Sequence, residues 1–173
     1  ETVLCGSGEI VANANEILSQ KGFKATKLNV PFAFHSAQVD PILEAFKKVA
    51  ASVTFNKPSV PVLSPLEGEI IRDAGIINPE YLARHARETV NFWTALKSGQ
   101  TSKVFDEKTS WLEIGAHPVC SGMVKASIGA TVTAPSLRRG EDPWKTIATS
   151  MCALSSAGVY INFDEYHQEF NDA

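Results

Sequence analysis

Val-Pro-Phe-Ala-Phe-His-Ser, residues 30–36, is the segment on which the fold prediction depends. Every second position from 28 to 34 is a large apolar residue (Leu28, Val30, Phe32 and Phe34). Such alternation is typical of one face of a β-strand. Asp40 and Pro41 follow, and they predict a helix with Asp40 as its N-cap and Pro41 at its first position. His35 therefore leaves a predicted strand just before a predicted helix, a position from which it can face a cleft.

The segments on either side extend this pattern into an alternation of strands and helices. A strand at residues 2–4, a helix at 10–18 and the strand at 28–34 form a compact strand–helix–strand unit. The later predicted strands are at 60–63, 70–71, 111–114 and 131–134. Later helices are predicted from 41, from 79, from 92 with an end at 98–99, from 118 to 128, and from 143 through 154 with an end at Gly158. An extended segment is predicted at 159–163. Asn78-Pro79 and Asp142-Pro143 are helix-start signals. We predict the α/β class.

The composition is ordinary for one globular domain and argues against several function classes. Of the 173 residues, 44% are hydrophobic and 20% are charged, which is typical of globular proteins. Sixteen basic residues against 19 acidic ones give a net charge of −3, so we expect neither a nucleic-acid nor a membrane partner. No apolar run reaches the roughly 18 residues that span a bilayer.

The cysteines and histidines predict neither a disulfide framework nor a metal centre. The three cysteines are far apart, and no pair has the CxxC spacing of a metal site. The four histidines are too scattered for a zinc cluster. This usage fits a reducing, cytoplasmic setting, with no metal. The positions are Cys5, Cys120, Cys152, His35, His85, His117 and His167.

His35 is the strongest candidate for chemistry, because the pKa of an imidazole suits proton transfer near neutral pH. A histidine base needs a nucleophile within hydrogen-bond reach and a partner for its second ring nitrogen. The alternative, a core or cleft histidine satisfied by the backbone, stays open. The adjacent Ser36 is poorly placed to be the nucleophile, and we predict that it caps the following turn.

No nucleophile for His35 is evident. The chain contains no Gly-x-Ser-x-Gly elbow. Cys120 is the best placed of the cysteines, because it lies near a predicted helix start, where the helix dipole favours a thiolate. A buried structural role is nevertheless the preferred interpretation for all three cysteines.

Trp-Leu-Glu-Ile-Gly-Ala-His-Pro, residues 111–118, is the second notable block. A strand that ends in glycine and leads to a helix N-terminus is where α/β proteins build site walls and hold anions. The preferred alternative is a tight connection that carries an exposed His117. Residues 138–142 are interpreted as a solvated loop that leads into a capped helix.

Four blocks of the chain share one resemblance. They are Ala-Phe-His-Ser at 33–36, Tyr-Leu-Ala-Arg-His-Ala-Arg-Glu-Thr-Val-Asn-Phe at 81–92, Leu-Glu-Ile-Gly-Ala-His-Pro at 112–118, and Pro-Ser-Leu-Arg-Arg-Gly at 135–140 with Ala-Gly-Val at 157–159. In this order they resemble the AFHS motif, the "Y…R…V.F" segment, the "EIGPHP" strand-loop and the closing segment of the malonyl-CoA:acyl carrier protein acyltransferase domain, above all that of the fungal iterative non-reducing polyketide synthases. Ala116 departs from the usual proline, and Cys5 and Ser7 flank Gly6 where the family often has Ser-Gly-Pro.

For the fold, the resemblance implies an α/β-hydrolase-like large subdomain joined to a ferredoxin-like small one, with the active site between them. Residues 1–30 would belong to the small subdomain, and residues 31–173 would form the C-terminal part of the large subdomain and its exit segment. The nucleophile elbow and the arginine that clamps the malonyl carboxylate would precede Glu1. We therefore expect the C-terminal half of an acyltransferase domain, inactive on its own.

For the chemistry, the resemblance implies ping-pong acyl transfer from malonyl-CoA to the phosphopantetheine thiol of an acyl carrier protein, with His35 as the base for an upstream serine. It implies that a backbone carbonyl at His85 orients the ring of His35, and that Phe34 disfavours methylmalonyl in the substrate pocket. No cofactor would be bound by this chain.

The implied partners are the N-terminal half of the domain, the acyl carrier protein and a neighbouring ketosynthase domain. Two alternatives stay open. One is the starter-unit acyltransferase of the same synthases, which uses a cysteine nucleophile. The other is a non-catalytic docking element of a megasynthase.

Overall fold

The computed structural model of the chain describes residues 2–28 and 30–171, apart from the side chains of residues 169–171. These residues divide into two compact units, Glu1–Ala95 and Leu96–Ala173, each with its own two-stranded sheet. Strands and helices are mixed in both units, which confirms the predicted α/β class. None of the described helices has the length and apolarity needed to cross a membrane.

The first unit contains a β-hairpin and a small helical cluster. Its elements are α1 (Gly8–Gln20), a 3-10 helix (Ala37–Ile42), α2 (Leu43–Ala50), β1 (Val62–Ser64), β2 (Glu69–Ile71) and α3 (Pro79–Arg87). β1 and β2 pair in antiparallel register, with Val62 opposite Ile71. The 3-10 helix and α2 both pack on α3, so α3 is the support for the chain that follows His35.

The second unit is built on a strand–helix–strand motif. After α4 (Phe92–Thr101), which begins in the first unit, its elements are β3 (Ser110–Glu113), α5 (Cys120–Ile128), β4 (Val132–Pro135), α6 (Pro143–Ser156) and α7 (Phe163–Asn171). β3 and β4 are parallel, and α5 and α6 pack on the pair. The buried apolar side chains are those of Leu96, Phe105, Val124, Ala130, Ala134 and Leu154.

Helices with a local start signal form where they are predicted. The side chain of Asn78 accepts a hydrogen bond from the backbone N–H of Tyr81 at 2.8 Å, and that of Asp142 accepts one from Lys145 at 2.8 Å. A proline follows each cap at the first helical position, where its missing N–H costs nothing. Both predicted starts are confirmed.

The strands predicted at residues 2–4 and 28–34 are wrong. Asn29 lies outside the described residues, but neither 2–4 nor 28 and 30–34 form strand. Val30, Phe32 and Phe34 are 54%, 63% and 65% exposed. Alternation produces a strand only where a neighbouring strand takes its backbone hydrogen bonds and another layer covers its apolar face, and the described part of the chain offers this segment neither. The segment predicted as extended at 159–163 forms neither helix nor strand over residues 159–162, and α7 begins at its last residue.

The helix after His35 begins earlier than predicted and in a tighter form. The hydroxyl of Ser36 accepts a hydrogen bond from the backbone N–H of Gln38 at 3.2 Å, so Ser36 is the N-cap of the 3-10 helix, as predicted. Asp40 and Pro41 lie inside that 3-10 helix, and α2 starts without a side-chain cap. The prediction of Asp40 as an N-cap is wrong, because the helical segment already begins at Ala37 with Ser36 as its N-cap, and Asp40 lies inside it.

Candidate active site

His35 adopts a left-handed backbone conformation, with φ of 57°. Residues other than glycine rarely do so, although histidine is among those that tolerate it, and the conformation costs about 1–3 kcal/mol. The backbone N–H of His35 donates to the carbonyl of Ala86, in the last turn of α3, at 3.2 Å. His35 is thus held in a strained turn against the end of α3.

Short-range bonds close the turn around His35. The hydroxyl of Ser36 donates to the carbonyl of Ala33 at 2.5 Å, and the side-chain oxygen of Gln38 accepts from the N–H of Ala33 at 2.9 Å. The turn is therefore bonded internally on both sides of His35.

Two arginines of α3 form ion pairs with different segments. Arg87 pairs with Asp40, 47 residues away in the 3-10 helix. Arg84 pairs with Glu67 at 2.9 Å and with Glu88 at 2.9 Å. Arg87 therefore joins α3 to the segment after His35, whereas Arg84 joins it to the hairpin turn and to its own C-cap.

The ring of His35 is half-buried against the ring of His85. The two ring centroids lie 5.6 Å apart in an edge-to-face arrangement, and Nδ1 of His35 is buried without a hydrogen-bond partner. Burial, and then the charge of His35, lower the pKa of His85. The lowered pKa favours a neutral His85 at pH 7, so its ring adds no positive charge next to His35.

Tyr81 and Ser64 support the far side of His85. The ring centroid of Tyr81 lies 6.0 Å from that of His85, and its hydroxyl is 2.8 Å from the hydroxyl of Ser64. Ser64 is fully buried and also accepts from the N–H of Glu67 at 3.0 Å. This polar pair ties the His85 side of α3 to the hairpin.

The structure brings two of the predicted site residues together. His35 and His85 are in ring contact, and Phe34 is adjacent to His35 with its side chain 65% exposed. The contact involves the His85 ring and not the backbone carbonyl on which the prediction rests. The orienting role of that carbonyl and the selectivity role of Phe34 stay predictions.

The second block is a self-contained connection. The carboxylate of Glu113 accepts hydrogen bonds from the backbone N–H groups of Val119, Cys120 and Ser121, at 3.0, 2.9 and 2.6 Å. Burial alone would raise the pKa of Glu113, but the hydrogen bonds from Ser121, Cys120 and Val119 together lower it. The N-terminus of α5 already binds an anion of its own chain, so it is not a ligand site.

His117 and Cys120 are parts of this connection. Nδ1 of the exposed His117 accepts a hydrogen bond from the N–H of Arg139 at 3.3 Å, as expected for a tight connection with an exposed histidine. Burial, and then the Glu113 carboxylate, raise the pKa of the Cys120 thiol, which argues against a thiolate.

The prediction that the cysteines are buried is wrong. All three are exposed and free. Cys120 and Cys152 lie on helices that bury other residues, Val124 in α5 and Leu154 in α6. Cys5 precedes α1, which buries none of its residues. Among residues 2–28 and 30–171, no group of three His, Cys, Asp or Glu side chains could hold a metal ion.

Sequence patterns missed three interactions of this site and its neighbouring loops. They are the Arg87–Asp40 pair, the Ser64–Tyr81 pair and the closure of a loop by Glu113. The first two link residues far apart in the chain, for which a single sequence holds no signal. The third had a weak signal, a carboxylate five residues before the helix start that is predicted at 118.

Comparison with known proteins supplies the family. The acyl transferase domain family matches residues 1–159. The chain is 76% identical to a non-reducing polyketide synthase of Zymoseptoria tritici and 75% identical to one of Elsinoe fawcettii. Both matches cover 100% of this chain and 8% of the relative.

Among solved structures, the acyltransferase domain from the second module of the salinomycin polyketide synthase is similar, with a TM-score of 0.79 and 27% identity over 97% of this chain and 39% of that one. The acyltransferase domain of an iterative polyketide synthase in enediyne biosynthesis has a TM-score of 0.68 and 25% identity, over 89% and 37%. The fold is that of part of an acyltransferase domain. The family match, together with the two fungal relatives, shows that the chain belongs to the acyl transferase domain family.

Proposed function

We propose that this chain is the C-terminal half of a polyketide synthase acyltransferase domain and that His35 is its general base. The half-buried His35 ring, with an unpartnered Nδ1 beside a neutral His85, is the observation that carries the proposal. Membership of the acyl transferase domain family supports it, as does the position of His35 in an Ala-Phe-His-Ser segment.

The proposed reaction has two half-reactions. A serine hydroxyl encoded upstream of Glu1 gives its proton to His35 and attacks the thioester carbonyl of malonyl-CoA. The C–S bond breaks, and the coenzyme A thiolate takes the proton from the imidazolium. In the second half, the phosphopantetheine thiol of an acyl carrier protein gives its proton to His35 and attacks the malonyl-serine ester. The serine oxygen leaves and is reprotonated by His35.

The electrostatics around His35 suit this cycle. In each half-reaction His35 must carry a proton from the attack of the nucleophile to the departure of the leaving group. Because burial lowers the pKa of His85, that neighbour stays neutral and adds no positive charge when His35 becomes an imidazolium. We retain the backbone carbonyl at His85 as the proposed partner that orients the second nitrogen of His35.

Selectivity for malonyl is assigned to Phe34. Its side chain is 65% exposed next to the proposed base, so it is free to contact an acyl group. Crowding by Phe34 would disfavour the additional methyl of methylmalonyl, an effect worth about 1–3 kcal/mol.

The proposed partners are the N-terminal half of the domain, the acyl carrier protein and a neighbouring ketosynthase. Helix α1 buries none of its residues, and Val3, Ile10 and Phe23 are 75%, 64% and 63% exposed. Apolar exposure of this extent is typical of a surface that another part of the protein covers. We assign residues 1–30 to the small subdomain and residues 31–173 to the large one, and three free cysteines support a cytoplasmic setting.

The test is the His35→Ala variant of the complete acyltransferase domain, with His117→Ala as the matched control. Acyl loading from malonyl-CoA is followed by intact mass. Loss of a general base lowers the loading rate by about 10²- to 10⁴-fold, whereas the control loads normally. Unchanged loading by His35→Ala contradicts the proposal and favours a non-catalytic docking element. The 173-residue chain alone should form no malonyl adduct.

A further inference from the structure

We infer that Arg87 is a positioning residue for His35, because its ion pair with Asp40 holds the segment that follows the base against the end of α3. The inference rests on the proposed function, since a positioning role has meaning only if His35 moves a proton. It assigns a task to a side chain whose ion pair is made with Asp40 and not with His35.

The backbone of His35 needs support from outside its own turn. Lys103 is the other non-glycine residue with positive φ among the described residues, at 54°. Its conformation has a local cause: α4 ends there, with Val104 N–H donating to Gly99 at 2.9 Å and Lys103 N–H donating to Gln100 at 3.1 Å, the pattern of a Schellman helix end. No helix ends at His35. A strained backbone conformation without such a local cause persists only where several surrounding contacts hold it in place.

The supports of His35 fall into two groups with different effects. The bonds of Ser36 and Gln38 to Ala33 span at most five residues, so they shape the turn without fixing where it lies. Two consecutive residues of α3 set its location. The carbonyl of Ala86 accepts from the N–H of His35 itself, and Arg87 pairs with Asp40, five residues further along the chain.

These two contacts hold the segment from His35 to Asp40 at its two ends. Packing of the 3-10 helix and α2 on α3 also holds the segment after His35, but apolar packing is not directional and leaves the segment free to shift by small amounts. The Arg87–Asp40 pair removes that freedom, and the planar guanidinium constrains direction as well as distance. The ring of His35 is thereby directed against His85 on the same helix.

The exposure of the Arg87–Asp40 pair indicates that the pair contributes little to folding stability. The side chains of Arg87 and Asp40 are 39% and 52% exposed, and ion pairs of such exposure add little to folding stability. Removal of Arg87 should therefore leave the fold intact while it loosens the base. Arg84 is a matched control, because it lies on the same helix with 40% exposure and pairs with Glu67 and Glu88.

The experiment uses the complete acyltransferase domain and measures kcat and KM for malonyl transfer, together with Tm. Arg87→Met should lower kcat about fivefold, the most that a half-exposed ion pair contributes, with KM within about twofold and Tm nearly unchanged. Asp40→Asn, which removes the charge from the other side at constant size, should have the same effect. Arg84→Met should leave kcat at the parental value.

Rescue distinguishes positioning from a general structural role. The charge-swapped double variant Asp40→Arg/Arg87→Asp restores the pair in reverse and should recover most of kcat, whereas either reversal alone should not. Failure of the double variant to recover kcat, or equal effects of Arg87→Met and Arg84→Met, overturns the inference. The proposed function is tested separately by His35→Ala: if that variant is inactive while Arg87→Met is normal, only the positioning role is wrong.

Discussion

The two loops that carry His35 and His117 use their histidines in opposite ways. Nδ1 of His117 accepts a backbone hydrogen bond, and the loop around it is closed by the carboxylate of Glu113. Nδ1 of His35 is buried without a partner, on a strained backbone held from another helix. The contrast shows that a histidine in a loop before a helix is not by itself a sign of chemistry. His117, whose Nδ1 accepts a backbone N–H, is a structural element of its loop, and His35, whose buried Nδ1 accepts none, is the candidate base.

The largest stability effect should come from removal of the group that closes the second loop. Glu113→Ala leaves three backbone N–H groups without their acceptor, which should cost roughly 2 kcal/mol of unfolding free energy. Urea unfolding of the complete domain measures it. The exposed Glu107, replaced by alanine, is the control and should change the unfolding free energy by less than about 0.5 kcal/mol. Equal effects of the two variants would contradict the structural role of Glu113.

The pH dependence of the unfolding free energy is a second test of the structural role of Glu113. The folded state lowers the pKa of Glu113 below its ordinary value of 4.5. A carboxylate of this kind adds stability that is present in full above the unfolded-state pKa and is lost as the pH falls through the folded-state value. The difference in unfolding free energy between the parent and Glu113→Gln should therefore be constant near neutral pH and shrink below pH 4.5. A difference in unfolding free energy that does not depend on pH would contradict the lowered pKa of Glu113.

A smaller effect is expected in the His35 loop from loss of its cap. Ser36→Ala removes the acceptor for Gln38 and the donor to Ala33, which should cost about 1 kcal/mol and also lower the rate of acyl transfer. Ser7 caps α1 by accepting from Ile10 at 3.3 Å, so Ser7→Ala is the matched control. It should lose comparable stability without the loss of rate. If both variants lose rate equally, the cap of the His35 turn has no special bearing on the base.

The smallest effect should come from His117 itself. His117→Asn removes one 3.3 Å hydrogen bond at an exposed position, and the unfolding free energy should fall by less than about 0.5 kcal/mol. Steady-state kinetics of malonyl transfer should be unchanged. A loss of kcat close to that of His35→Ala would erase the distinction between the two loops.

What could be predicted from the sequence follows the range of the interactions involved. The helices that begin at Asn78-Pro79 and Asp142-Pro143 were predicted because a cap bonds a residue three positions away. The strand predicted at 28–34 is wrong, because strand pairing depends on residues that local alternation does not specify.

The same distinction holds for the candidate site. Proximity of His35 and His85 followed from the resemblance to a family and not from a pattern. The Asp40–Arg87 pair joins positions 47 residues apart, whereas the local pattern predicts Asp40 only as a helix cap. Short-range chemistry was thus predictable, and the contacts that place the base were not.

Helix α1 has a consequence for measurements by hydrogen exchange. Thirteen residues with no buried side chain are close to the shortest helix that persists in water, so its amide protons should exchange quickly when this chain is studied alone. Coverage of the helix by the rest of an acyltransferase domain would slow that exchange, while the amides around the buried Leu154 of α6 would change little. Exchange rates along α1 therefore report directly whether the proposed N-terminal half of the domain covers this helix.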